Sequence, residues 1–210
     1  MRDRDVVYLI LESTGPWRYY KLKILAINGS PRPNRNTASL MKLVIEAAKR
    51  ESSDVDVMWC NLNDMTYAGC QSCLACKTSD VKGCVRKDAL AFVLDVMLAS
   101  QAWIIGTPVY MGHVSGQLKL LLDRMYGFTG PNRENRIPAG KKVVLAVTQG
   151  AGAEYHKDLA DQTKTFLSRR GLETEIIRGC GMRAADPVPE FGKELNEEAL
   201  RLGKWLVSSR

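Results

Sequence analysis

No apolar stretch of this chain approaches the ~18–20 residues a membrane-spanning helix needs, so no membrane partner is expected. It has no internal repeat, low-complexity tract or recognisable linker. A secretory leader of the usual form is also missing. Met1 to Asp5 carries two Arg and two Asp, and the apolar run Val6 to Leu11 is short and ends at Glu12. Neither common phosphate-loop signature, G-x-x-x-x-G-K-[ST] or G-x-G-x-x-G, is present. Histidine is scarce, only His113 and His156, and no Ser-His-Asp motif or other general acid–base set stands out. Recognition-helix and basic–aromatic patterns are absent, which argues against nucleic acid as a partner.

What remains is an ordinary globular composition. The 210 residues suit one large domain. Hydrophobic residues make up 45% and charged residues 25%, which excludes disordered, collagen-like and fibrous classes. Thirty Lys+Arg against 23 Asp+Glu leave a net charge of +7. That favours anionic partners, with a solvated basic surface as the plainer alternative.

Six cysteines are present, and Cys70, Cys73, Cys76 and Cys84 fall within 15 residues. Clustered thiols without a leader are read as those of a cytoplasmic protein in a reducing compartment, where such clusters serve metal or redox chemistry. The spacing C-x2-C-x2-C-x7-C lets three thiolates converge on one small object, as in iron–sulfur ligation. Structural zinc usually takes two separated C-x2-C pairs. Zinc and metal-free thiols remain as alternatives. Cys60 and Cys180 lie in or just after apolar strand candidates and read as buried small hydrophobes.

From Lys23 onward apolar runs alternate with helical stripes. Strands are expected at Lys23 to Asn28, Val55 to Cys60, Ala102 to Gly106, Lys142 to Thr148 and Leu172 to Ile177. Helices are expected at Thr37 to Arg50, Ala89 to Leu98, Val114 to Met125, Leu159 to Arg170 and Glu194 to Val207. Short continuous apolar strands alternating with helices predict a parallel sheet covered on both faces. The chain divides into an N-terminal extension, 1–21, and a domain, 22–210. A long cysteine-rich loop, 61–87, is inserted after the second strand. Loops of that length inside a compact domain are usually functional.

In such folds ligands sit beyond the carboxyl ends of the strands. The first loop, Gly29 to Thr37, offers the Ser30 and Thr37 hydroxyls, the Asn36 amide and Arg32 at a helix start. That is a phosphate-binding chemistry, with Asn36 also a candidate N-cap. The third, Gly106 to His113, places Tyr110 and Met111 where they could lie against a planar ring, and Gly112 where a ligand could approach the backbone. The fourth, Thr148-Gln149-Gly150-Ala151-Gly152, is rich in amides. Each loop alone is equally compatible with a purely structural role.

Taken together, these pieces resemble a family. Gly29-Ser30-Pro31-Arg32 with Asn36-Thr37, Gly106-Thr107-Pro108-Val109-Tyr110, Gly116-Gln117-Leu118-Lys119 and Asp123-Arg124 resemble the NAD(P)H-dependent FMN reductases of the flavodoxin-like fold. The added Cys70, Cys73, Cys76, Cys84 stretch, followed by Val85-Arg86-Lys87-Asp88, resembles the iron–sulfur flavoproteins of anaerobes, especially archaea. The resemblance covers roughly residues 22–208. It implies an α/β, doubly wound five-stranded parallel sheet in the order 2-1-3-4-5. It implies FMN, with its phosphate at Ser30, Arg32, Asn36 and Thr37. The ring would lie by Pro108, Val109, Tyr110, Met111 and Gly112, and its pyrimidine edge would meet Thr148, Gln149 and Gly150. It further implies a [4Fe-4S] cluster on Cys70, Cys73, Cys76 and Cys84, and a homodimer or homotetramer with the cluster near a neighbouring subunit's flavin. The cofactor pair would connect a one-electron donor to a two-electron acceptor. NAD(P)H is a candidate substrate, although no nicotinamide fingerprint is visible. Lys77, Lys82, Arg86 and Lys87 could dock an acidic, ferredoxin-like donor or simply be solvated. Two alternatives stay open: a cluster-free NAD(P)H-dependent FMN or quinone reductase, and a zinc-stabilised, non-catalytic module.

Overall fold

Contiguous apolar residues in an extended chain need cover on both faces, and the three central strands show this. A computed structural model describes residues 22–183 and 191–208. The extension 1–21, with the apolar run Val6 to Leu11, lies outside the described residues. Strands β1 (Leu22–Asn28), β3 (Ala102–Tyr110) and β5 (Lys142–Thr148) are buried along most or all of their length. β2 (Val55–Asn61) and β6 (Glu173–Gly179) flank them. The pairing order is β2-β1-β3-β5-β6, all parallel. Ile27 stands between Cys60 and Ile105, and Leu145 between Ile105 and Ile176. A two-residue strand, β4 (His113–Val114), pairs antiparallel with the end of β3. With β4 set aside, the parallel strands run in the order anticipated.

Alternation along the strands divides the core in two. Leu25, Ile27, Trp103, Ile105, Val143 and Leu145 face α2 (Ala89–Ala99), α3 (Gly116–Arg124) and α4 (Lys157–Ser168). Ile24, Ala26, Ile104, Val144 and Ala146 face α1 (Asn36–Glu51) and α5 (Lys193–Val207). The same alternation aims two neighbouring lysines at opposite layers. Lys141 Nζ donates to Leu98 O at 2.8 Å and to Ser100 O, at the end of α2. Lys142 Nζ donates to Trp205 O and Ser208 O at 2.8 and 2.9 Å, at the end of α5. Each lysine thus satisfies carbonyls that a helix C-terminus leaves unpaired.

Most element boundaries shift from the sequence reading by one or two residues, and two of the differences have identifiable reasons. β3 continues through Pro108 to Tyr110, because beyond Gly106 it has outrun β1 and is an edge on that side, where proline is tolerated. α3 starts at Gly116 rather than Val114, because Val114 pairs with Val109 and the Ser115 hydroxyl accepts from Leu118 N, capping the helix. Between β2 and α2 the cysteine segment runs with only two 3-10 turns, Leu62–Asp64 and Ala75–Lys77.

Candidate functional site

Three strand-end loops meet at one cavity. Asn28, fully buried at the end of β1, shapes the first: its Nδ2 donates to Asn61 Oδ1 and Pro33 O, and its Oδ1 accepts from Ser30 N. Gly29 N donates to Gly106 O at 2.8 Å. A Cβ on Gly29 would stand 2.9 Å from that same oxygen and from Leu118 Cβ, so only glycine lets the loop lie this close to β3 and α3. Ser115 Oγ donates to Gly29 O at 2.6 Å, and Ser115 N donates to Thr107 Oγ1. β1, β3 and α3 are therefore tied together directly beneath the cavity.

The cavity has a volume of about 240 Å³. Ser30, Arg32, Asn36 and Thr37 wall one side, from the loop after β1. Pro108, Val109 and Tyr110 wall another, from β3, and Thr148, Gln149 and Gly150 a third, from the end of β5. Arg35 and Met182 complete the lining and were not singled out from the sequence. Arg35 was legible as a second cation in the first loop. Met182 carried no local signal, since it arrives from the loop after β6. Met111 and Gly112 lie outside the cavity lining. Both have positive φ, 50° and 77°, and form the two-residue turn between β3 and β4, a I′-type requirement that glycine meets. Met111 is 98% exposed at its tip.

The electrostatics of this cavity suit an anion. α1 begins with no side-chain cap and no acidic residue in its first turn, so its leading N–H groups keep their donor capacity. Asn36 does not serve as the N-cap anticipated from the sequence: Arg35 occupies that position, and Asn36 is the first helical residue. The Asn36 side chain is drawn instead to Met182 O at 3.4 Å, and its buried Oδ1 has no partner. The Thr37 and Thr148 hydroxyls are bonded to each other at 2.7 Å across the floor. Gln149 is committed to its own loop. Its Nε2 donates to Gly152 O and Tyr155 O, its Oε1 accepts from Arg178 Nη2, and its N and O pair with Gly179 and Met182. It therefore sets the shape of the loop carrying Gly150. A larger cleft, about 760 Å³, adjoins on the β6 side and shares Asn36 and Met182.

The cysteine segment is held differently. Cys70 and Cys73 are exposed, Cys76 is buried and Cys84 half-buried, and all are free thiols. Among the described residues no three His, Cys, Asp or Glu side chains are gathered as a metal-binding group. The donor set nevertheless suits anionic sulfur. Ser72 N–H donates to Cys70 Sγ at 3.5 Å, and Ser72 and Leu74, on either side of Cys73, both take left-handed backbone. Arg136 Nη1 donates to Cys76 O at 3.2 Å. Lys77, half-buried, donates its Nζ to Tyr126 O and Thr129 O and lies 3.6 Å over the Tyr126 ring. Arg86 is paired with Asp88 at 3.5 Å.

At the base of the segment, burial alone would raise the pKa of Asp88. Hydrogen bonds from Arg124, Ala68 N–H and Arg86 outweigh it and hold the carboxylate below its usual range. Cys60 matches its structural reading: burial, with Asp64 nearby, pushes its thiol up to about 12. Cys180 does not. It is half-buried at the lip of the larger cleft, because β6 ends at Gly179 and the chain turns out of the sheet there. His113 is exposed on β4.

Residues 22–179 match the family described as NADPH-dependent FMN reductase. An iron-sulfur flavoprotein of Archaeoglobus fulgidus is 36% identical over 134 residues, 64% of this chain and 64% of that protein. An iron-sulfur flavoprotein of Methanosarcina thermophila is 34% identical over 133 residues, 63% of this chain and 68% of that one. The alignment therefore covers slightly under two thirds of the Archaeoglobus protein's length. The solved NAD(P)H:quinone oxidoreductase from Methanothermobacter marburgensis superposes with a TM-score of 0.62 over 90% of this chain and 99% of its own, at 18% identity, a likeness of fold.

Proposed function

Since the chain belongs to the NADPH-dependent FMN reductase family, we propose that it is a flavin-dependent oxidoreductase with FMN in the cavity at the ends of β1, β3 and β5. The observation that carries this reading is the convergence of those three loops on an anion-ready helix start. Ser30, Asn36, Thr37, Arg32 and Arg35, with the first N–H groups of α1, hold the phosphate. Pro108, Val109 and Tyr110 flank the ring, and the loop shaped by Gln149 presents the Gly150 backbone to its edge. The enclosed volume, about 240 Å³, falls below the ~300–1,000 Å³ of typical ligand pockets.

Cys70, Cys73, Cys76 and Cys84 are the ligands of a [4Fe-4S] cluster in this reading. The names of the two archaeal relatives support it, as do the N–H donor at Cys70 and the clamps on the segment. When bound, flavin and cluster exchange two electrons and one respectively, which joins a two-electron couple to a one-electron couple. NAD(P)H is one candidate reductant. An acidic, ferredoxin-like donor is another, and Lys82, Arg86 and Lys87 are the cations placed to meet it. The chain works as a homodimer or homotetramer. Tyr110 at the cavity, Met111 in the turn beyond it, and Leu74, Val85, Leu120 and Tyr126 around the cysteine segment, are large exposed apolar side chains that a second copy would cover. Free, clustered thiols fit a reducing cytoplasm. Among the described residues no helix is long and apolar enough to cross a membrane.

A second reading, a cluster-free NAD(P)H-dependent FMN or quinone reductase, is favoured by the separation of the thiols. Anaerobic purification followed by iron, sulfide, zinc and FMN analysis decides between them. About four iron, four sulfide and one FMN per chain are expected. FMN without iron or sulfide leaves the second reading, and zinc without flavin overturns both.

A further inference from the structure

Asn28 is a polar residue at the end of an otherwise apolar strand. Ile24 to Ile27 are buried, and Asn28 follows them at 0% exposure, in register with Asn61 on one side and Gly106 on the other. A buried amide is costly unless its polar atoms find partners, and here both do. Oδ1 accepts from Ser30 N at 3.1 Å. Nδ2 donates to Pro33 O at 3.3 Å and to Asn61 Oδ1 at 3.1 Å. Two of these bonds grip the first loop at separate points, and the third anchors the amide itself. Asn61 Oδ1 also accepts from Trp59 Nε1 at 2.8 Å, so the anchor is held in turn.

The loop has few donors of its own, and Asn28 bears on where they point. Pro31 and Pro33 carry no N–H and have fixed φ. Ser30 N is spent on Asn28. Ser30 Oγ accepts from Arg32 N at 3.1 Å, which leaves its hydroxyl proton to offer. Fastening Pro33 O fixes the chain just before α1, whose leading N–H groups have no side-chain cap. A leucine at position 28 would continue the apolar strand at similar volume, but it would release both Ser30 N and Pro33 O.

We propose that Asn28 is a positioning residue for phosphate selectivity: by holding Ser30 and Pro33 in one geometry it sets the Ser30 hydroxyl, Arg32 and the start of α1 for a phosphomonoester, so that the cavity takes FMN in preference to the dephosphorylated flavin, riboflavin. This rests on the FMN reading above and deepens it. Asn28 touches no ligand and acts through the first loop. Donors already in place bind an anion without the cost of ordering the loop at that moment. The walls assigned to the ring come from β3 and β5, whereas the Asn28 amide bonds only to the first loop and to β2. Its loss should therefore weaken binding of the phosphate and spare binding of the ring.

The full-length protein, freed of flavin, is titrated with FMN and with riboflavin as wild type, Asn28→Leu, Asn61→Leu and Trp59→Phe. Wild type should favour FMN by roughly a hundredfold, the scale of a few hydrogen bonds to a charged group. Asn28→Leu should cut that ratio about tenfold, with riboflavin affinity within about threefold of wild type. Asn61→Leu removes only the anchor and should cut the ratio about threefold, and Trp59→Phe should cut it least. Inorganic phosphate should compete with FMN in wild type and do so more weakly in Asn28→Leu. An unchanged ratio in Asn28→Leu, or equal losses for the two flavins, overturns the positioning role and leaves the FMN reading standing. A wild type that binds both flavins equally overturns the phosphate site together with this inference. One that binds neither overturns the flavin reading itself, and the inference with it. Should Asn28→Leu fail to fold, the half-buried Asn61→Leu decides by the same ratio, and an unchanged value there overturns the proposal.

Discussion

At the cavity beyond β1, β3 and β5 every wall begins at a strand end, and the backbone ladder of the sheet holds those ends in place. The cysteine segment has only two 3-10 turns and is held by side chains: Arg124 and Asp88 at its base, Arg136 and Lys77 along its length. The cavity inherits its precision from a cooperative unit whose hydrogen bonds are shared among many residues. The segment inherits its own from a few long-range bonds, each made by a single group. Loss of one polar group should therefore be mild at the cavity and severe at the segment.

The largest effect should come from Arg124→Met. Asp88, with only 14% of its side chain exposed, would lose its buried counter-charge and keep only the longer, 3.5 Å contact with Arg86, at a cost of up to about 3–5 kcal/mol. Urea unfolding measures this, and the double variant Arg124→Met with Asp88→Leu should recover much of the loss. A cost under ~1 kcal/mol would place the segment's support elsewhere. Next is Gly29→Ala, the steric weak point of the cavity. The added Cβ forces the first loop off β3, with an expected loss of about 1–3 kcal/mol and at least a roughly tenfold weaker FMN dissociation constant by titration calorimetry.

Thr37→Val is gentler. It strands the Thr148 hydroxyl, at about 1–2 kcal/mol in thermal unfolding, and if it costs as much as the arginine the contrast between the two regions fails. Acid should separate the regions without mutation. Because the Asp88 pKa is lowered on folding, its contribution is present above the unfolded value near ~3.9 and is lost as pH falls below it. Exchange at 68–88 should rise below about pH 4 ahead of exchange in β3. Smallest is Lys119→Ala. Its pair with Asp123 is solvent-exposed and should contribute less than about 0.5 kcal/mol to unfolding free energy.

Much of the cavity could be read directly from the chain, because its residues follow buried strands and the loops at carboxyl ends of parallel strands converge by geometry. Lys142 to Thr148 was expected as a strand and is one. Where the structure adds to or corrects the local reading, a residue's surroundings came from elsewhere in the chain or from the turn it sits in. Asn36 was expected to cap its own helix and reaches Met182 instead. Gly112 was a candidate ligand approach and takes a left-handed backbone in the turn between β3 and β4. Lys77 looked like a surface cation, yet its ammonium is spent on carbonyls of the segment after α3.

Apolar periodicity by itself determined the layer order, the strands and the ends of the sheet at which chemistry belongs. Burial of contiguous apolar runs has few solutions, and those solutions are written in local pattern. Cysteine spacing by itself marked a candidate second centre. Only the tertiary structure decided how that centre is held. A buried guanidinium takes whatever acceptors the packed fold brings to it, and nothing near Arg124 in the chain announces that those acceptors are Ala68, Arg86 and Asp88.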